Sequence, residues 1–102
     1  MKKIFLEVIQ SKGKKAKAYC FDISRLGIGF VSSCKPKTGT VVQIRPQSKA
    51  LPVMQAKIAH SLPYRKRPYK HRVGAKFIYL TVQQRVFLEK FIRKVEKAIY
   101  GN

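Results

Sequence analysis

Asp22, Ser24 and Gly27 are the tightest group of chemically capable residues in this chain. Asp22 is the sole aspartate and one of four carboxylates, set against 23 lysines and arginines, and it stands between two apolar runs. Asp22 and Ser24 share strand parity around Ile23, so both side chains are expected on one face. Gly27 allows a sharp turn and brings bare backbone N–H groups close to a docked partner. A carboxylate, a hydroxyl and open amides this close together suit the donor edge of a base such as guanine. The same residue types also build a plain strand-to-strand turn in which Asp and Ser bond their own backbone. From the residues alone, both readings stand.

A second group is the run Tyr64-Arg65-Lys66-Arg67-Pro68-Tyr69-Lys70-His71-Arg72. Its cations (Arg65, Lys66, Arg67, Lys70, Arg72) offer charge to phosphates, and its two tyrosines offer flat faces to bases. Pro63 and Pro68 restrict the loop and lower the cost of ordering it. The plainer alternative is a hairpin loop whose charge is simply solvated. No motif of a sequence-reading nucleic-acid domain accompanies it, so binding through this loop would have low sequence specificity.

The net charge of +19 on 102 residues exceeds what solubility needs and points to an anionic partner: nucleotide, nucleic acid, acidic protein or membrane surface. Nothing points to an enzyme. Glu7, Asp22, Glu89 and Glu96 form no local acid/base pair, His60 and His71 are isolated, and there is no Gly-rich phosphate loop. Cys20 and Cys34 lack metal spacing and lie in apolar, strand-like stretches. They are read as buried free thiols, with no metal and no cofactor, which suits a cytoplasmic location. No segment is apolar enough for a membrane span. The basic start at Lys2 and Lys3 is not read as a signal peptide, because the apolar run stops at Glu7, and Met1 is taken as the start.

These groups must be held by elements that the patterning makes visible. Strands are predicted over 4–10, 16–23, 28–32, 40–45, 52–62 and 73–80, separated by Gly, Pro and Lys-rich turns. In the fifth strand Val53, Met54, Ile58 and Leu62 supply the apolar contributions; in the sixth Val73, Ala75, Phe77 and Tyr79 share one face. The period then changes. Leu88, Phe91, Ile92, Val95 and Ile99 form one helical stripe over 81–100, Thr81 and Gln84 have the form of a capping box, Glu89 and Arg93 sit four apart on the outer face, and Gly101 is a stop. The expected fold is mainly β, a single domain over 1–102: a small six-stranded antiparallel barrel over about 4–80 closed by a C-terminal amphipathic helix over about 81–100.

Three segments combine in order. They are Asp22-x-Ser24-x-x-Gly27-x-x-Phe30, then Gly39-x-x-Val42-x-Ile44, then Val73-Gly74-Ala75-Lys76-Phe77 ahead of a helix with Leu88 and Phe91-Ile92. This pattern resembles the PilZ domain family over most of the chain, from about residue 4 through the helix. The resemblance implies a six-stranded barrel with a C-terminal helix, and a bacterial receptor for cyclic di-GMP that passes a signal to a protein partner. It assigns Asp22, Ser24 and Gly27 to guanine recognition. The family's R-x-x-x-R segment, which clamps phosphates ahead of the first strand, has no counterpart here; Lys2 and Lys3 occupy that stretch and are the ligand-binding cations expected from it. An ammonium lacks the planar fork of a guanidinium.

Three functions follow as expectations. The first is a cyclic di-GMP-binding signalling domain. The second is an adaptor of the same fold that has lost the nucleotide and acts by protein–protein contact. The third is a basic nucleic-acid-binding module using the 64–72 run.

Overall fold

The computed structural model describes residues 4–100, with side chains through 95. Six strands and one helix follow in chain order: β1 (Ile4–Ile9), β2 (Lys15–Ile23), β3 (Gly27–Ser32), β4 (Val41–Pro46), β5 (Met54–Pro63), β6 (His71–Ile78) and α1 (Val82–Tyr100). The strands close into one barrel in the order β1-β2-β3-β6-β5-β4, every pair antiparallel. Closure pairs both edges of every strand, so no open edge remains.

Alternation fills the inside. Leu6 and Val8 of β1, Ala16, Ala18 and Cys20 of β2, Ile28 and Phe30 of β3, Val42 and Ile44 of β4, Ala56 and Ile58 of β5, and Val73 and Ala75 of β6 form one buried cluster. The intervening residues face outward, as the two-residue period of a strand requires. Small side chains on β2 and β6 leave room for Phe30, which is completely buried.

The helix plugs one end. Leu88 packs with Leu51 and Met54, joined by Phe91, Ile92, Leu80 and the barrel-end residues Ile4, Ile23 and Phe77. The capping box forms as expected: the Gln84 amide donates to Thr81 Oγ1 (3.1 Å) and the Thr81 amide donates to Gln84 Oε1 (2.8 Å). Gln84 Nε2 also donates to the Val53 carbonyl at 2.8 Å, pinning the first helical turn to the entry of β5. Val95 is half-buried, in line with the stripe; the side chain of Ile99, and Gly101, lie outside what is described.

Three sequence expectations need correction. Tyr79 does not share the inner face of Val73, Ala75 and Phe77: its φ is 54°, it has left β6 at the turn into α1, and it is 84% exposed. Leu62 is 57% exposed, because a bulge in β5 reverses the parity after Ile58. Val53 lies ahead of β5 and is also exposed.

Candidate functional site

Two β-bulges shape one patch of the outer wall. Between β2 and β3, Cys20 pairs with Phe30 but Asp22 pairs with Gly29, so Phe21 is an extra residue. Between β5 and β6, Ile58 pairs with Ala75 but His60 pairs with Gly74, so Ala59 is extra. A bulge shifts the alternation by one. Without it Asp22 would continue the inward series Ala16, Ala18, Cys20, and His60 the inward series Met54, Ala56, Ile58. With it, Asp22 and His60 are both exposed. Gly29 of β3 pairs directly with Gly74 of β6, so the two re-aimed side chains flank a pair of glycines.

The turn after β2 carries the rest of the motif. Ser24 takes the plainer of its two readings: the Leu26 and Gly27 amides donate to its Oγ at 3.2 and 3.3 Å, and the Ser24 amide donates to the Gly27 carbonyl at 2.9 Å. The bare amides expected at Gly27 are therefore already occupied. Gly27 is needed for space rather than for a sharp turn, since a Cβ there would run into the Ala75 carbonyl oxygen of β6. Asp22 does not bond its own turn. Among the described residues its exposed carboxylate has no hydrogen-bond or ion-pair partner, so its acceptor capacity is open to a ligand. Arg25 points the other way, to Glu89 of α1 at 3.8 Å, so Glu89 pairs with the turn rather than with Arg93.

Asp22, Ser24 and Gly27 lie on one open recess of about 470 Å³ with Phe21, His60, Arg72 and Lys76. The Arg72 guanidinium stacks over the Phe21 ring, 4.2 Å from its centroid. An acceptor carboxylate thus shares the recess with two cations, an arrangement that fits a ligand bearing both hydrogen-bond donors and phosphate. A second recess of about 530 Å³, lined by Phe5, Lys17, Arg45 and Tyr69 among others, contains none of the motif residues.

The basic run divides. Arg72 belongs to β6 and joins the recess, whereas Arg65, Lys66, Arg67 and Lys70 stay exposed on the β5–β6 loop and do not line it. That loop folds back on the barrel: the Tyr64 amide donates to the Lys70 carbonyl (2.7 Å) and the Lys70 amide to the Ser32 carbonyl (3.1 Å). Its tyrosines are engaged. Tyr69 meets Tyr19 edge to face at 4.8 Å between centroids, and the Tyr64 and Tyr19 hydroxyls are hydrogen-bonded at 3.2 Å. That hydrogen bond, with burial, raises the Tyr19 phenol above its ordinary value. Val31, cross-strand neighbour of Tyr19 and Arg72, is buried although its parity faces outward. The expectation of two free ring faces is therefore corrected: Tyr69 packs edge to face on Tyr19, Tyr64 is tied to Tyr19 through its hydroxyl, and both are half-buried.

Lys2 and Lys3 lie outside the described residues. Cys20 and Cys34 are free thiols, Cys20 buried and Cys34 half-buried. Among the described residues no cluster of three or more His, Cys, Asp or Glu could hold a metal, and no helix is long and apolar enough to cross a membrane. Phe21, His60, Gly29, Gly74 and Lys76 are members of the recess that the sequence did not assign to a site. The recurrent glycines in Gly27-Ile28-Gly29 and Val73-Gly74-Ala75 were the available signal, but their pairing is set by register.

The family model of the PilZ domain matches residues 3–94. Among solved structures, the PilZ domain with c-di-GMP of YcgR from Escherichia coli aligns with a TM-score of 0.71 at 14% identity, covering 95% of this chain and 84% of that one. MrkH of K. pneumonia aligns with a TM-score of 0.77 at 8% identity, covering all of this chain and 48% of that one, so this chain spans about half its length. At such identities the likeness is one of fold. No curated protein matches the sequence.

Proposed function

This chain belongs to the PilZ domain family, and we propose that it is a cytoplasmic signalling domain that binds cyclic di-GMP and relays its presence to a protein partner. PilZ domains are ligand-binding adaptors rather than enzymes, so the function lies in recognition. The observation that carries the reading is the position of Asp22. A bulge turns it out of the barrel, and its carboxylate, which has no hydrogen-bond or ion-pair partner among the described residues, stands in one recess with the cations Arg72 and Lys76.

In this reading the Asp22 carboxylate accepts from the N–H edge of a guanine, and Ser24 fixes the turn, its hydroxyl oxygen accepting from the Leu26 and Gly27 amides. Arg72 and Lys76 meet the phosphates. In this reading they do the phosphate-binding work that the family gives to an R-x-x-x-R segment. The relay has a candidate route. Arg25, inside the motif, bridges to Glu89 on α1, and Leu26 beside it is 80% exposed. A ligand that reorders the turn would change what this corner presents to a partner. The cytoplasmic assignment rests on the free thiols.

Calorimetric titration at near-physiological salt tests the reading. Cyclic di-GMP should bind saturably, GMP and GTP should not reproduce its affinity, and Asp22→Ala should weaken binding about tenfold or more. An Asp22→Ala variant that binds like the wild type removes the site assignment. A wild type that gives no saturable heat favours the nucleotide-free adaptor.

A further inference from the structure

The recess has an unusual base. A Cβ on Gly29 would strike the Phe21 ring, and a Cβ on Gly74 would strike the His60 imidazole, so each ring lies low against the barrel wall over one glycine of a cross-strand pair. Each ring is delivered by its own bulge, one on β2 and one on β5, from opposite sides of the β3–β6 pair. The result is a pair of rings covering the two glycines, in a strand region where other residues would place their own side chains. Arg72 already places its guanidinium carbon over the Phe21 ring, 4.2 Å from the centroid and within cation–π range, and a guanidinium is a flat group on which a base can stack. Asp22 is the cross-strand partner of Gly29 and stands at the edge of the same pair of rings.

We propose that Phe21, Arg72 and His60 form a purine-stacking platform: a guanine base stacks on the Arg72–Phe21 pair beside His60, while Asp22 accepts from its N–H edge. This deepens the receptor reading above and rests on it for the identity of the full ligand. It assigns a role to five residues outside the D-x-S-x-x-G motif, with Gly29 and Gly74 keeping the floor low, Phe21 and Arg72 supplying the stack and His60 flanking it. Arg72 contributes both a flat face and charge to such a stack.

The test is an NMR titration of ¹⁵N-labelled protein with three probes: cyclic di-GMP, 5′-GMP, and ribose 5-phosphate, which has the phosphate but no base. Gly29 and Gly74 amides should shift with the two guanine ligands and stay still with ribose 5-phosphate. Phe21→Leu, which keeps apolar bulk without a ring, and Arg72→Lys, which keeps charge without a plane, should each weaken cyclic di-GMP about tenfold or more. Arg72 is exposed, so its variant keeps the test valid should Phe21→Leu disturb the sheet. If cyclic di-GMP binds and both variants stay within about twofold of the wild type, the platform is overturned and the receptor reading survives. If cyclic di-GMP fails to bind while 5′-GMP still shifts Gly29 and Gly74, the receptor reading falls and the platform stands. If neither guanine ligand moves those amides, the platform falls whatever else binds.

Discussion

Gly27 and Gly74 look alike in sequence and differ in what surrounds them. At Gly27 a side chain would meet the backbone carbonyl of Ala75, which cannot move without disturbing the β3–β6 ladder; at Gly74 it would meet the imidazole of His60, an exposed side chain that can swing aside. Gly27→Ala should therefore cost about 1–3 kcal/mol, and Gly74→Ala distinctly less, compared by urea denaturation. Equal losses would contradict this account. Cys20 offers a second residue-scale measurement. Burial pushes its thiol up to about 11 from 9.0, so the folded state holds the proton more tightly than the unfolded chain. Its contribution is fully present below pH 9 and is lost as the pH rises through about 11, by linkage. Because lysines titrate in the same range, the informative quantity is the difference from Cys20→Ala. The wild type should lose stability relative to that variant between pH 9 and 11, and parallel curves would refute it. Asp22 stood out as a candidate at this scale, since a lone aspartate beside Ser and Gly in a cationic chain is visible in sequence. Its orientation was not legible, because it depends on the extra residue Phe21 in the β2–β3 pairing.

Among the elements, the helix was the most readable and the strand faces the least. The stripe through Leu88, Phe91 and Ile92 and the Thr81–Gln84 box both report interactions within four residues, so sequence spacing suffices to find them. Thr81→Ala leaves the Gln84 amide without its acceptor and should cost about 1 kcal/mol, read as a lowered thermal midpoint; an unchanged midpoint would mean that the contact of Gln84 with Val53 alone sets the helix start. Strand boundaries 16–23 and 28–32 fall within a residue of β2 and β3 at either end. Faces beyond the bulges were not readable, and the exposed Leu62 shows why: a parity rule carried past Ala59 assigns every later residue to the wrong side. The β5–β6 loop also belongs to this scale. Its cations are as exposed as expected, yet Tyr64 and Tyr69 are drawn onto Tyr19, a residue 45 positions away from Tyr64.

For the whole molecule, the charge of +19 guarantees some attraction to any polyanion, and salt separates that from a specific site. Cyclic di-GMP carries two phosphates, so log K against log salt should fall with a slope no steeper than about −2, while duplex DNA, touching many more cations, should fall at about −5 or steeper. Identical slopes for the two ligands would argue against a discrete nucleotide site. The sequence by itself determined the parts whose causes are local: six short alternating strands, one capped amphipathic helix, the charge, and the Asp-Ser-Gly turn with its resemblance to the PilZ family. Those follow from side-chain period, turn chemistry and composition, which need only near neighbours. Tertiary structure alone decided which residues meet on the outer wall. Closing the barrel sets β2, β3, β6 and β5 side by side, and register with two bulges places Asp22, Gly29, Gly74 and His60 in one row, with Phe21 and Arg72 beside it. Pairing register is a collective property of two distant strands: a shift of one residue reverses every face, and the energy that fixes it comes from filling the shared core.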